Sequence, residues 1–283
     1  MSTANHSLED QFLSLAAHHA LYAEIDPSVA LKGSASGKVV FLSGASQGIG
    51  QATAVAFARA GAAAVYITAR SAQGLEETKT NVLKANPETK CEYSLCDVTN
   101  EQQVKVAIAD CVKKFGSIDV ADANAGYLAK WSKIGESDPE SCWRTWEVNI
   151  MGTYCLIRHV VPHLIDSAKR HSANGKSGGY LILISSVGAQ LLTPGASDYQ
   201  TSKHAINSLC EFVNVDHGEE GVKCFATDPG GVATSLAKNM PTKMHAHLVD
   251  SPDLAAGFIV WLCSGAADWA TGRFLSSNWR IIP

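Results

Sequence analysis

Short apolar stretches alternate with longer segments of helical character from residue 38 to the end of the chain. The short stretches are rich in β-branched and aromatic residues, which is typical of strands buried in a parallel sheet. We predict strands over residues 39–43, 65–68, 92–95, 120–123, 180–185, 223–227 and 274–276. Helices are expected between them, the longest over 140–170 and 197–218. Because no linker interrupts this alternation, the pattern predicts one α/β domain over residues 38–283.

Residues 1–37 precede that domain and carry a different pattern. Mostly apolar side chains recur there near helical spacing, which predicts an amphipathic helix; they are Leu8, Phe12, Leu13, Leu15, Ala16 and His19. Asp26 and Pro27 are expected to end or turn this helix. The extension can pack on the core or on a neighbouring subunit, or it can cover an active site as a lid. We favour packing, because an apolar helical stripe has to be buried.

A glycine loop joins the first predicted strand to an alanine-rich helix over residues 51–60. Gly44, Gly48 and Gly50 follow the strand in a G-x-x-x-G-x-G spacing. Such a run of glycines is often only a tight turn. Between a buried strand and a helix, however, it lets backbone N–H groups and the helix N-terminus approach a pyrophosphate. This setting favours a dinucleotide-binding site.

Tyr199 and Lys203 lie four residues apart, and Ser186 precedes the tyrosine by thirteen residues. Four residues make one helical turn, so both side chains project from one face. A nearby ammonium favours the phenolate and lowers the tyrosine pKa. A serine from another segment can then hold a substrate oxygen against the tyrosine. Together the three can pass a proton to or from an alcohol or ketone, whereas Y-x-x-x-K alone could be a solvated helix face.

Taken in order, these motifs resemble the short-chain dehydrogenase/reductase family from about residue 38 to the C-terminus. The resemblance also rests on Asp97 in C-D-V, on Asn124-Ala125-Gly126, on Asn149 in V-N-I and on residues 229–234, P-G-G-V-A-T. Ala123 departs from the family, many of whose members have an asparagine there. The alanine removes one side-chain hydrogen bond and leaves residues 124–126 intact. Residues 22–27 resemble extensions found in fungal members.

The resemblance implies a single Rossmann-like domain, with a doubly wound, mostly parallel seven-stranded sheet and helices on both faces. It also implies a nicotinamide cofactor and assigns three sets of residues. The catalytic set is Asn149, Ser186, Tyr199 and Lys203. The cofactor-binding set is Gly44, Ser46, Gln47, Gly48, Ile49, Gly50, Arg70, Ser71, Asp97, Val98, Asn124, Ala125, Gly126, Tyr199, Lys203, Pro229, Gly230, Val232 and Thr234. The substrate-binding set is Ser186, Gln190, Leu191, Tyr199 and Gly231, and no metal ligand is expected.

The implied reaction interconverts a ketone and a secondary alcohol. Tyr199 gives the substrate oxygen its proton, and Ser186 donates a hydrogen bond to that oxygen. Lys203 lowers the tyrosine pKa and holds the nicotinamide ribose hydroxyls. Asn149 fixes a water that relays protons from Lys203, although its side chain could equally satisfy helix backbone.

The end of the second strand bears on cofactor choice. An NAD site needs a carboxylate roughly 20 residues past the glycine loop, but this strand is followed by Arg70 and Ser71, and the first acid is Glu76. Arg70 can fork onto a 2′-phosphate, or it can merely stack on adenine. Gln47 occupies a loop position where many NADP-dependent members carry a second basic residue. We therefore expect NADP(H), with NAD(H) as the weaker alternative.

The substrate is expected to be a hydrophobic ketone or alcohol, because the residues predicted around the pocket are mainly apolar or aromatic. Besides the substrate-binding set, that prediction covers Tyr127, Trp131, Leu192 and residues 235–250. Two alternatives remain open: the same fold could perform a different reduction in secondary metabolism, or the chain could be a non-enzymatic nicotinamide-nucleotide-binding regulator. The intact Tyr199 and Lys203 pair disfavours the second.

The composition of the chain limits the kinds of partner that the protein is expected to bind. The net charge is −4 and the pI about 6.2, which argues against a basic nucleic-acid-binding surface. No apolar run reaches the length of a membrane span, and the eight cysteines form no C-x-x-C pair, so we expect reduced thiols in a cytoplasmic protein. The predicted long helices carry apolar side chains in excess, and a homodimer or homotetramer is expected; those side chains are Trp143, Trp146, Tyr154, Leu156, Ile206, Leu209 and Phe212.

Overall fold

Seven parallel strands form one sheet in the computed structural model, which describes residues 18–175 and 177–281. The strands are β1 Val39–Ser43, β2 Ala64–Ala69, β3 Lys90–Leu95, β4 Val120–Ala123, β5 Tyr180–Ile184, β6 Lys223–Asp228 and β7 Arg273–Ser276. Their order across the sheet is β3-β2-β1-β4-β5-β6-β7. The strand order therefore reverses between β1 and β4, which is where open α/β sheets bind ligands, at the carboxyl ends of the strands.

Helices cover both faces of the sheet. They are α1 Gly48–Arg59, α2 Ala72–Ala85, α3 Glu101–Phe115, α4 Pro139–Trp146, α5 Gly152–Ser172, α6 Ser197–His217 and α7 Pro252–Leu262. One core lies between the sheet and α1, α2 and α7, around Phe57, Leu75 and Ile259. The other lies beneath α3, α5 and α6 and includes Ile108 and Val160. The predicted Rossmann-like α/β architecture is confirmed.

The helix predicted over residues 140–170 is interrupted by a π-helical turn. Residues Glu147–Met151 form this π-helical turn between α4 and α5, so the helical segment is continuous but is not a uniform α-helix. A π turn shifts the side chains that follow it relative to the helix face, and such turns are frequent at functional sites. Asn149 lies within this turn and is fully buried.

The described part of the N-terminal extension packs on the domain. Ile25, Leu31 and Ala35 are buried in the core beside α7, and Ser36 forms an isolated bridge with Ala62. Five of the six positions used to predict an amphipathic helix, from Leu8 to Ala16, lie outside the described residues. His19, the sixth, lies just before a short 3₁₀ turn, Ala23–Ile25.

Within the described ranges, no helix combines the length and apolarity needed to cross a membrane. The same residues hold no cluster of three His, Cys, Asp or Glu side chains that could bind a metal ion. All eight cysteines are free thiols, and all but Cys142 are buried. Burial raises the pKa of most of these thiols, among them Cys96, whose pKa is raised to about 11. They are therefore protonated and unreactive at neutral pH.

Candidate active site

A cleft of about 410 Å³ opens at the carboxyl edge of the sheet, across the point where the strand order reverses. Most of the residues predicted to bind cofactor line it: Gly44, Ser46, Gln47, Gly48, Ile49, Arg70, Ser71, Asp97, Val98, Asn124, Ala125, Gly126, Tyr199, Lys203, Pro229 and Thr234. Residues distant in sequence thus meet because each follows a parallel strand.

The glycine loop is shaped by close packing against β4. A Cβ atom added to Gly50 would lie 2.5 Å from Asn124 Nδ2 and 2.6 Å from the Gly44 carbonyl oxygen. Gly44 also has a positive φ of 67°, a conformation that side chains other than glycine rarely adopt. Asn124 fastens the loop by donating hydrogen bonds to the carbonyls of Ser43 (3.1 Å) and Gly44 (2.9 Å).

The N-terminus of α1 begins in this loop and borders the cleft. Its N-cap residue, Gln47, makes no side-chain capping bond, and the first turn contains no acidic residue. The first N–H groups of a helix lack partners within the helix and carry partial positive charge. Gly48 and Ile49 therefore present donors suited to a phosphate group.

The end of β2 is cationic. Arg70 is exposed at the cleft, and Ser71 caps α2 by accepting a hydrogen bond from the Gly74 N–H (3.2 Å). Asp97 follows β3 and lies 3.6 Å from the Arg144 guanidinium. Burial works against ionisation of Asp97, but hydrogen bonds from Thr99 and the charges of Arg144 and Arg70 together hold the pKa of this carboxyl below its ordinary value.

Ser186, Tyr199 and Lys203 meet beside the carboxyl end of β5. The Ser186 side chain lies beside that of Tyr199, close enough to act on the pKa of the tyrosine hydroxyl. One turn further along α6, the buried Lys203 ammonium lies 5.6 Å from the tyrosine ring centroid and donates to the Ile184 carbonyl at 2.7 Å. The structure thus joins the proton-transfer trio that the sequence singled out.

The pKa values in this trio differ from one sequence-based expectation. Burial raises the pKa of Tyr199 to about 12; the Ser186 side chain opposes this, and the Asp228 carboxylate adds to it. The sequence predicts that Lys203 lowers this pKa. In the structure burial is the largest cause acting on it, and the Lys203 ammonium donates to a backbone carbonyl. Burial also lowers the pKa of Lys203 to about 8.

The Asn149 side chain forms hydrogen bonds to the backbone of Tyr127 and to Ser202, next to the trio. Its amide donates to the Tyr127 carbonyl (3.0 Å) and to Ser202 Oγ (2.9 Å), and its Oδ1 accepts from the Tyr127 N–H (2.8 Å). Ser202 in turn donates to the Tyr199 carbonyl at 2.7 Å. Asn149 therefore connects the π turn to the backbone of the catalytic helix α6.

Two buried carboxylates hold the segment at residues 229–234. Asp228 accepts hydrogen bonds from the N–H groups of Val187 (2.9 Å) and Gly230 (3.3 Å), and Asp250 accepts from the Gly231 N–H (2.6 Å). Burial raises the pKa of Asp228, although those hydrogen bonds oppose the shift. The sequence analysis did not single out Asp228, and it included Asp250 only as the last residue of the range 235–250 predicted around the pocket.

Several predicted residues do not line this cleft. Gly50 and Asn149 support its walls from behind, and Ser186 reaches it through Tyr199. The others are Gly230, Val232, Gln190, Leu191, Gly231, Trp131 and Leu192. Lining residues that the sequence analysis missed are Ala69, Cys96, Leu128, Val148, Ile184 and Ser185. Ala69 and Ile184 are the last residues of their strands and Cys96 directly follows its own, so the carboxyl-edge rule could have identified them.

Comparison with known proteins identifies relatives over most of the chain. A family model described as short chain dehydrogenase matches residues 38–245. The short chain dehydrogenase citE of Monascus ruber is 42% identical over 250 residues, covering 87% of this chain and 82% of that protein. The short chain dehydrogenase andI of Emericella variicolor is 31% identical over 271 residues, covering 93% and 87%.

A solved structure is similar as well. The 3-ketoacyl-(acyl-carrier-protein) reductase of Brucella melitensis, complexed with NADH, superposes with a TM-score of 0.76 at 26% identity. The match covers 85% of this chain and 96% of the Brucella chain. The similarity therefore extends over the sheet and the cleft alike.

Proposed function

Because this chain belongs to the short-chain dehydrogenase/reductase family of oxidoreductases, whose members use a nicotinamide cofactor, we propose that it interconverts a ketone and a secondary alcohol with NADP(H). The observation that carries this proposal is the placement of Ser186 beside Tyr199, with Lys203 one turn away, at a cleft that begins at the glycine loop. The similar Brucella structure is that of a 3-ketoacyl-(acyl-carrier-protein) reductase complexed with NADH. A ketoacyl reductase reduces a carbonyl group, which is the kind of reaction proposed here.

The residues of the cleft fit a dinucleotide. The uncapped first turn of α1 offers N–H donors to a pyrophosphate, and Gly44 and Gly50 let the loop that precedes it pack closely against Asn124. Asp97 and Val98 lie at the end suited to adenine, and Pro229 and Thr234 border the opposite end. When bound, reduced nicotinamide supplies a hydride to the carbonyl carbon.

The protein's own part in reduction is to hold and deliver a proton. With its pKa raised to about 12, Tyr199 keeps its hydroxyl proton at neutral pH and can donate it to a substrate oxygen. Ser186 is placed to donate a hydrogen bond to that same oxygen as negative charge develops on it. Lys203, with its pKa lowered to about 8, can supply the next proton from a buried position.

NADP(H) is proposed over NAD(H) because of the cleft wall after β2. Ala69, Arg70 and Ser71 line it and carry no carboxylate. The nearby Asp97 carboxylate, after β3, is balanced by Arg144 as well as by Arg70. The Arg70 guanidinium is exposed there and permanently charged. NAD(H) remains the weaker alternative, since the related Brucella structure contains NADH.

The proposed substrate is a hydrophobic ketone or alcohol of the natural-product kind. The cleft end near Tyr199 is bordered by Tyr127, Leu128 and Leu236, with Asn239 as a polar neighbour that donates to the Leu128 carbonyl at 2.7 Å. Apolar walls with few polar groups suit a ligand bound mainly by burial of apolar surface.

We also propose that the active form is a homodimer or homotetramer. Trp143 on α4, Tyr154 on α5 and Phe212 on α6 are exposed, Trp143 by 64% and Phe212 by 61%. Contiguous patches of large exposed apolar side chains are characteristic of interfaces. Leu156 and Ile206, which the sequence analysis assigned to that face, are instead buried in the core beside α6.

The test of the proposed function is nicotinamide absorbance with NADPH and a panel of apolar cyclic and acyclic ketones, alongside free sugars and enones. We expect turnover with at least one apolar ketone and formation of the secondary alcohol. Ser186→Ala should lower kcat on that ketone roughly 100-fold, as loss of an oxyanion donor does. Reduction confined to the C=C bond of the enones would instead support a different reaction on the same fold. Nucleotide binding without turnover on any substrate would favour a regulator.

A further inference from the structure

The segment at residues 229–232 is fixed by contacts from outside its own loop. Gly231 is bound on both sides by Asp250: its N–H donates to the carboxylate at 2.6 Å, and its carbonyl accepts from the Asp250 N–H at 3.0 Å. Val232 and Asp250 form an isolated parallel bridge. A Cβ on Gly230 would lie 2.5 Å from Asp250 Oδ2. The position of Asp250 therefore determines where this backbone can lie.

Asp250 is in turn held by the arm, which we define as residues 18–25. The His19 ring nitrogen Nδ1 lies 2.5 Å from Asp250 Oδ1. The His19 carbonyl accepts a hydrogen bond from the Ser251 N–H at 2.9 Å. The arm thus contacts Asp250 through a side chain and the next residue through its backbone.

A second pair of bonds fixes the start of the arm to the C-terminal segment. The His18 N–H donates to the Asn278 carbonyl at 2.9 Å, and the Asn278 amide donates to the His18 carbonyl at 2.8 Å. A Cβ on Gly230 would also lie 3.0 Å from Asn278 Oδ1. The arm and the segment at 229–232 therefore share both of their neighbours, Asp250 and Asn278.

The side chains of Asp250 and His19 differ in how far they are buried. The Asp250 side chain is only 5% exposed, whereas that of His19 is 59% exposed. A buried carboxylate is costly unless hydrogen bonds satisfy it, and His19 and the Gly231 N–H are the partners that approach its two oxygens. Removing His19 would leave one oxygen without its side-chain donor and loosen the carboxylate that orients Gly231.

We propose that the arm is a positioning element of the cofactor site, in which His19 acts through Asp250 to fix the Gly231 peptide. This inference rests on the proposed function, because it takes residues 229–234 to border the nicotinamide end of a bound cofactor. His19 touches neither cofactor nor substrate in this scheme. Its loss should weaken cofactor binding and raise the cofactor KM, while kcat at saturating cofactor stays nearly unchanged.

The test compares His19→Phe, which keeps the ring and removes both ring nitrogens, with His19→Asn, whose amide nitrogen can replace Nδ1 as a donor. Val29→Ala serves as the control, since Val29 is 65% exposed in the same extension. For each full-length variant, NADPH dissociation constants are measured by nucleotide fluorescence, with cofactor KM, kcat and Tm. We expect His19→Phe to weaken binding roughly three- to fivefold, the upper range for an exposed ion pair. His19→Asn should recover most of that loss, and Val29→Ala should match the wild type.

The outcomes separate the two proposals. If the wild type bound no nicotinamide nucleotide, the proposed function itself would fail. If the wild type bound NADPH and His19→Phe left the dissociation constant within about 1.5-fold, the positioning role of His19 would be wrong while the function stood. Equal weakening in His19→Phe and His19→Asn would also overturn it, because the hydrogen bond would then not be what matters. A lower Tm with unchanged cofactor affinity would assign His19 to stability alone.

Discussion

Replacing Arg70 with alanine should remove most of the preference for NADPH over NADH. Arg70 directly follows β2 at the cleft and is exposed there. The carboxylate that acts on it is that of Asp97, which follows β3 and also pairs with Arg144. A 2′-phosphate bound there would gain a charge-assisted contact, and alanine would abolish that contact without disturbing the buried residues of β2.

The magnitude follows from the exposure of Arg70. A hydrogen bond to a charged group contributes about 1.5–3 kcal/mol. Because water and salt screen an exposed pair, the lower end applies here, and about 1.5 kcal/mol corresponds to roughly tenfold in selectivity. The preference should also shrink as ionic strength rises, since the Debye length falls from about 10 Å at 0.1 M to about 3 Å at 1 M.

The assay is kcat/KM with NADPH and with NADH for the wild type, Arg70→Ala and Arg158→Ala. Arg158 is the matched control, because it is an exposed arginine paired with Glu101 at 3.7 Å and does not line the cleft. We expect a wild-type ratio of roughly ten or more in favour of NADPH, near unity in Arg70→Ala and unchanged in Arg158→Ala. Equal or better use of NADH by the wild type would refute the reasoning, and so would a selectivity that Arg70→Ala leaves intact.

Two further outcomes are expected. With the pKa of Lys203 lowered to about 8, kcat/KM for reduction should be level between about pH 6 and 7.5 and fall above about pH 8 as the ammonium loses its proton. Because this pKa lies below the ordinary lysine value of 10.5, the contribution of Lys203 to stability rises with pH above about pH 8. A Tm that does not fall over that range would therefore separate the activity loss from unfolding. Activity that stayed level to about pH 10 would contradict the role of the ammonium. By light scattering at micromolar concentration the wild type should be a dimer or tetramer, and Phe212→Glu should shift it towards smaller species; a monomeric wild type would contradict the proposed assembly.

The strands and the glycine loop could be predicted because their signals are local. The five residues Val39–Ser43 are enough to predict a buried strand, and the turn after it requires glycine at position 44. The strand ends were less accurate: β3 begins at Lys90 and not at residue 92, because Lys90 pairs with Ala64 on the neighbouring strand. Pairing between strands is a tertiary property that a single segment does not contain.

Other features of the site depend on contacts that the sequence pattern does not display. The π turn at Glu147–Met151 has no sequence signal, yet it accommodates Asn149 against the Tyr127 backbone. The pairing of Asp250 with Gly231 joins residues nineteen positions apart. The high pKa of Tyr199 arises from burial, whereas the spacing suggested a value lowered by the nearby lysine. In each case packing around the residue, and not its neighbours in the chain, decides its behaviour.

The most direct measurement is the single-turnover rate of the purified wild type and of Tyr199→Phe with NADPH and an accepted ketone. Phenylalanine keeps the ring and deletes the hydroxyl that lies beside Ser186. The rate should fall by about 100-fold or more, the usual scale for losing acid–base catalysis, while the NADPH dissociation constant stays nearly unchanged. A variant that kept about a third of the wild-type rate, against the hundredfold loss expected for a general acid, would show that Tyr199 is not the proton donor.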